Sequence, residues 1–190
     1  VLASAFAGRF VVHGTLMAQL SIVTAPDPRL KVRSAPVERV DAALRRFMDD
    51  MLETMYAAPG IGLSAVQVGV PRRVIVIDVA GEGEPPQPLR IVNPEIRRRG
   101  DQLVTYEEGC LSLPEQYADV SRPGSVVIGY IDENNQPREL EAEGLLATCI
   151  QHEMDHLEGI LFVDHLSAVK RSIILRKLIK ARKGKALKSA

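Results

Sequence analysis

Hydrophobic and polar positions change period several times along the chain, and each period predicts an element. Val37, Val40, Leu44, Phe47, Met48, Met51, Leu52 and Met55 recur on one stripe, with Arg45, Arg46, Asp49, Asp50 and Glu53 largely off it. That spacing predicts an amphipathic helix over Val37 to Tyr56, its methionines packed in the core, ending by Pro59-Gly60. Arg73 to Val79 (RVIVIDV) is a short apolar run rich in β-branched residues and reads as a buried strand. Leu89–Val92, Glu95–Arg99 and Leu103–Tyr106 are short strand candidates, and Ser125–Ile131 with Arg138–Glu143 reads as a hairpin around Glu133-Asn-Asn-Gln136. Leu145 to Gly159 returns to a helical period, with a glycine just past its end where a left-handed cap is favoured. A last helical spacing runs through Val169, Ile173, Ile174, Leu178 and Ile179, with Ser167 as N-cap. Short strands followed by one central helix predict an α+β domain, small antiparallel sheets packed around that helix.

Length and composition narrow the class. At 190 residues, 46% hydrophobic and 25% charged, the chain can form one soluble domain with a substantial core. No apolar run reaches the roughly 18 residues that span a membrane. Two cysteines, Cys110 and Cys149, cannot make a disulfide framework, so a reducing, cytoplasmic location is expected. Tryptophan is absent and aromatics are 4%, which argues against a base-stacking surface and against DNA as a partner.

The zero net charge hides an asymmetry. All 24 acidic residues lie in 1–165, whereas 166–190 holds nine basic residues and no acid. An acidic body with a basic tail implies two surfaces with different partners. The expected organisation is an extension or non-native leader over 1–16, ahead of a natural start at Met17. A catalytic domain over 17–165 and a basic helical tail over 166–190 follow.

The chemistry concentrates in His152-Glu153-Met-Asp-His156. On a helix, positions i and i+4 lie about 6 Å apart on one face, so two imidazoles can bind one metal there. Glu153 sits beside His152, placed to carry the proton of an activated water without being a ligand. An open catalytic site usually takes a third protein ligand. Cys149 shares the face but lies roughly 7 Å along the axis from the metal level, and its side chain leans further away. It reads instead as a small apolar pocket residue. Cys110, within Glu108-Gly-Cys-Leu-Ser112 on another segment, can approach from across. Gly60-Ile-Gly-Leu-Ser-Ala-Val-Gln67 alternates glycine with apolar residues, which suits a backbone that pairs with an extended ligand while Gln67 projects its amide into the site.

Three motifs in this order, Gly60–Gln67, Glu108–Ser112 and Gln151–Gly159, make the chain resemble the bacterial peptide deformylases from about Met17 to about Arg171. The resemblance implies Cys110, His152 and His156 as ligands of one Fe²⁺, for which Zn²⁺, Ni²⁺ or Co²⁺ can substitute. It implies hydrolysis of the formyl group from the N-terminal formyl-methionine of nascent chains. Glu153 would move the proton, with the Gln67 amide and the Leu111 N–H stabilising the developing oxyanion. Ile61, Gly62 and Gly109 are expected to pair with the peptide, and Leu145 and Cys149 to hold the methionine side chain. The basic tail is expected to contact the ribosome. Two positions depart from the family pattern: Ser64 stands where alanine is usual, and Tyr117 where many members have arginine.

Two other readings compete. A zinc endopeptidase would use the same His-Glu-x-x-His, but the longer protease pattern needs a histidine where this chain has Phe162. Asp164 could serve as its third ligand, leaving the Cys110 motif unexplained. A non-enzymatic ribosome- or RNA-binding module with a structural metal would want four protein ligands, and only three are evident.

Overall fold

A computed structural model describes residues 19–81 and 83–188, with side chains up to residue 182. The expected leader over 1–16 lies outside the described residues. Ten elements order the chain: α1 (Ala42–Ala57), β1 (Gly62–Ser64), β2 (Val74–Ile77), β3 (Leu89–Arg99), β4 (Leu103–Cys110), β5 (Leu113–Pro123), β6 (Ser125–Ile131), β7 (Pro137–Glu143), α2 (Gly144–Leu157) and α3 (Ala168–Lys188). The strands form a five-stranded antiparallel sheet, β1-β2-β3-β6-β7, and a separate hairpin, β4-β5. This is the α+β arrangement expected from the sequence.

The Val74-Ile-Val-Ile77 run of β2 is buried on both faces. Alternation along the strand sends Val74 and Val76 towards α1 and Ile75 and Ile77 towards α2. The two helices therefore sandwich the sheet, and a strand covered on both sides has no reason to alternate in sequence. Strand β1 continues the same logic. Leu63 joins the α1 cluster, while Gly62 and Ser64 face α2.

Helix α1 begins at Ala42, later than the Val37 expected from periodicity. The Asn93 and Asn135 side chains accept hydrogen bonds from the backbone N–H groups of Val37 and Val40, and Asp41 caps Leu44 N–H. These bonds hold residues 37–41 outside the helix, yet Val37 and Val40 still pack on the helix's own cluster. The two short candidates at 89–99 are one strand, β3, bent at Asn93 (φ 50°) and shifted in register beside it. Strand β4 runs on to Cys110 and pairs with β5, a strand whose two prolines and polar residues concealed it.

Helix α2 ends where Gly159 adopts φ 73°, a left-handed conformation that a side chain would strain. Helix α3 packs on the body through Ile174 and Leu178, which join Val23, Leu30, Leu113 and Phe162 in a third apolar cluster. Ser167 Oγ accepts the Lys170 N–H, as expected of an N-cap. Among the described residues, no helix is long and apolar enough to cross a membrane.

Candidate active site

Helix α2 presents His152, Glu153 and His156 as buried side chains, and the end of β4 brings Cys110 to them. The β4–β5 register shifts between Gly109 and Cys110, where β4 ends. Cys110 Sγ lies 3.2 Å from His156 Nε2, and one donor atom from each of Cys110, His152 and His156 falls within 4.8 Å of the others. A tetrahedral ion with bonds of about 2.0–2.3 Å separates its ligands by roughly 3.3–3.8 Å, so this sulfur–nitrogen set fits one metal ion. Its borderline-soft donors suit Fe²⁺, Zn²⁺, Co²⁺ or Ni²⁺ and not Mg²⁺ or Ca²⁺.

Of the two rings, His152 is held from behind, whereas His156 Nδ1 is buried with no hydrogen-bond partner among the described residues. His152 Nδ1 donates to Glu108 Oε2 at 2.8 Å, which leaves Nε2 as the ring nitrogen facing the site. Glu108 in turn accepts two bonds from Arg122, at 2.6 and 3.0 Å, and Arg122 donates to Asp155 at 2.8 Å. Asp155 also meets His165 at the surface. Burial alone would raise the Glu108 pKa, but the His152 and Arg122 hydrogen bonds outweigh it and hold the carboxyl down to about 2. Burial likewise opposes a charged His152, yet the Cys110 sulfur and the Glu108 carboxylate together hold its pKa well above the ordinary value. His156 is pushed well below its ordinary value, by burial and then by the charge on His152.

Glu153 packs on the other side, against β1. Its Oε2 accepts from Ser64 Oγ at 2.6 Å, and a Cβ placed on Gly62 would stand 2.5 Å from its Oε1. Burial pushes the Glu153 carboxyl up, with His152 and the Ser64 hydroxyl pulling the other way. Gln67, on the turn after β1, is fixed at both ends of its amide. Oε1 accepts the Ser64 N–H at 2.8 Å, while Nε2 reaches Ser112 Oγ at 3.1 Å and Cys110 Sγ at 3.4 Å.

The remaining expected residues lie at β1, at the end of β4 and on the first turns of α2. Leu111 follows Cys110 and packs its side chain on Gly60, bringing the β4 end against the approach to β1. Strand β1 is an edge of its sheet, and Ile61, just before it, is exposed. Leu145 stands exposed at the start of α2. Cys149 is buried with Sγ 3.6 Å from the Ile61 carbonyl, outside the metal-binding group. Gly109 lies under the ring of Tyr117, which is 64% exposed. Asp164, the protease-type alternative ligand, is engaged elsewhere, accepting from Leu161 N–H and pairing with Lys31 and Arg171. Phe162 stacks on His152 at 6.4 Å, a wall where the protease pattern needs a ligand.

Sequence reasoning missed Glu108, Arg122, Ser112 and Asp155 as parts of the site. Glu108 had a signal, since it shares with Cys110 the face of a strand that points at a metal. Arg122, in a polar stretch before a proline, had none.

The depressed Glu108 pKa fixes a pH dependence. Its pairing contributes fully above the ordinary carboxyl value of 4.5 and is lost as pH falls towards about 2. With the metal chelated, the stability gap between the parent and Glu108→Gln, read from denaturant midpoints, should narrow steadily over that window. A gap that stays constant across it would mean that Glu108 does not titrate with folding.

Known proteins share both this sequence and this fold. The family profile described as Polypeptide deformylase matches residues 19–172. The peptide deformylase of Phenylobacterium zucineum is 58% identical over 164 residues, 86% of this chain and 97% of that one. That of Rhizobium meliloti is 51% identical over 168 residues, covering 88% and 97%. The crystal structure of the Ehrlichia chaffeensis peptide deformylase in complex with actinonin superposes with a TM-score of 0.83 at 43% identity, covering 87% of this chain and 98% of that chain. A family profile over most of the described fold, and relatives this similar over nearly their full length, leave one conclusion: the chain belongs to the peptide deformylase family.

Proposed function

We propose that the cleft between β1 and the end of β4 removes the formyl group from the N-terminal formyl-methionine of nascent polypeptides, using one Fe²⁺ held by Cys110, His152 and His156. The carrying observation is the buried Glu153 carboxylate beside that thiolate–imidazole group, with the Gln67 amide fixed at the sulfur. Held by Cys110, His152 and His156, a divalent ion would supply Lewis-acid activation of water near neutral pH. Glu153 accepts the proton of the attacking water and passes it to the leaving amine, a role that suits a carboxyl whose pKa burial has raised. Gln67 Nε2 and the Leu111 N–H donate to the oxygen that gains charge as the formyl carbon becomes tetrahedral.

Substrate is bound by pairing with the free β1 edge at Ile61 and Gly62, and with Gly109 opposite. Leu145 and Cys149 border the methionine side chain, on the turns of α2 that precede His152. Formyl is the smallest acyl group, so a tight site selects it by excluding bulkier ones. Residues 17–165 form the catalytic domain in this reading, and free cysteines that serve as ligand and pocket residue fit a cytoplasmic enzyme. The exposed basic side chains of α3 contact ribosomal RNA near emerging chains.

Protein purified without oxygen should release formate from a formyl-Met peptide and carry about one iron per chain. Glu153→Gln should keep the metal and lose roughly 10²–10⁴-fold in kcat. Retention of half the parent rate with metal bound would remove Glu153 from the mechanism.

Cys110→Ala should abolish tight metal binding, while Cys149→Ala should keep the metal and disturb only peptide affinity. Metal analysis after dialysis separates them, and the reverse pattern would reassign the sulfur ligand.

For the tail, truncation is a poor test because Ile174 and Leu178 are buried. Replacing Arg176, Lys177, Lys180 and Arg182 with glutamine leaves that packing intact. Turnover of short peptides should then be unchanged, while ribosome co-sedimentation weakens. Its log–log salt slope should become shallower by roughly 0.7–0.9 for each phosphate that the tail no longer neutralises. Unchanged co-sedimentation would leave the charges with a solubility role only.

A further inference from the structure

We infer that Ser64 is a positioning residue for Glu153, holding the carboxylate in the one orientation that turnover uses. This rests on the reading of Glu153 as the proton carrier. Ser64 is fully buried on β1, and its hydroxyl lies 2.6 Å from Glu153 Oε2 and 2.9 Å from the Glu153 carbonyl oxygen. One hydroxyl hydrogen cannot serve two acceptors fully, and the closer, carboxylate oxygen takes the stronger bond.

The opposite carboxylate oxygen is located by shape. Gly62, two residues earlier on the same strand face, leaves Oε1 room that any Cβ would fill. The terminal torsion of a glutamate is broad and roughly two-fold, so an untethered carboxylate samples many orientations. Here β1 fixes both oxygens, one by a hydrogen bond and the other by a bare backbone. The backbone N–H of Ser64 also holds Gln67 Oε1 at 2.8 Å. A single residue thus orients the proton carrier through its side chain and the oxyanion donor through its main chain.

The two roles can be separated. Ser64→Ala removes only the hydroxyl, keeps the N–H bond to Gln67, and fits the space because it is smaller. In the metal-loaded full chain, kcat for a formyl-Met peptide should fall roughly three- to tenfold, with KM within about twofold of the parent. Metal content should remain one per chain and the melting temperature close to the parent's, results that a merely structural serine would not give together with the kcat loss. Crystal structures of parent and variant read the carboxylate independently of turnover: one rotamer in the parent, a displaced or divided one in Ser64→Ala. An unmoved carboxylate, an unchanged kcat, or a kcat loss matched by loss of metal or folding would each overturn the assignment. If the parent itself released no formate while the carboxylate moved as expected, the deformylase reading would fail and the tether would stand.

Discussion

The metal-facing side of the site is braced by one buried ion pair, Glu108 with Arg122. The hairpin β4-β5 shares no strand pairing with the five-stranded sheet, and this pair joins it to α2 through side chains. Glu108 binds the back of His152, Arg122 binds Asp155 one turn further along the same helix, and Cys110 follows two residues after Glu108. Taking both charges out of water costs several kcal/mol per ion by general experience, and only a fully satisfied geometry offsets it. Here the Glu108 oxygens accept three side-chain bonds, and Arg122 spreads its donors over two carboxylates. The network ties the hairpin that carries Cys110 to the helix that carries both imidazoles.

That network bears on what was legible in the sequence. The candidate participants announced themselves through spacing. His152 and His156 sit one helical turn apart, Glu153 lies between them, and Cys110 is flanked by a glycine. Periodicity also revealed the core: α1, β2 and the β6-β7 hairpin follow from which residues repeat. The supporting groups did not announce themselves, because the buried Arg122 answers to partners 14 and 33 positions away in the chain. Strand β5 was hidden for a related reason. A two-stranded hairpin needs little apolar alternation, since much of it faces water. The start of α1 was misplaced because the Asn93 and Asn135 side chains, distant in sequence, claim backbone groups that a helix would otherwise use.

Ser64 and Tyr117 meet different surroundings. Ser64 places a donor in a dry interior, where a hydroxyl must find an acceptor and finds the Glu153 carboxylate. Tyr117 sets an exposed aromatic ring over Gly109, offering chiefly a face and one hydroxyl.

An open sheet edge invites pairing with any extended chain, and β1 is such an edge. Its dimensions limit the hazard. The strand is three residues long, preceded by Gly60 and Ile61 and followed at once by a turn over Ala65–Val68. A partner can form only a few backbone bonds before the chain bends away, too few to nucleate a growing sheet. The turn that closes the edge also places Gln67 against Cys110 and Ser112, so the same local geometry shortens the strand and delivers a donor to the metal-binding group. A short edge ending at fixed polar groups suits the terminus of a peptide better than its middle.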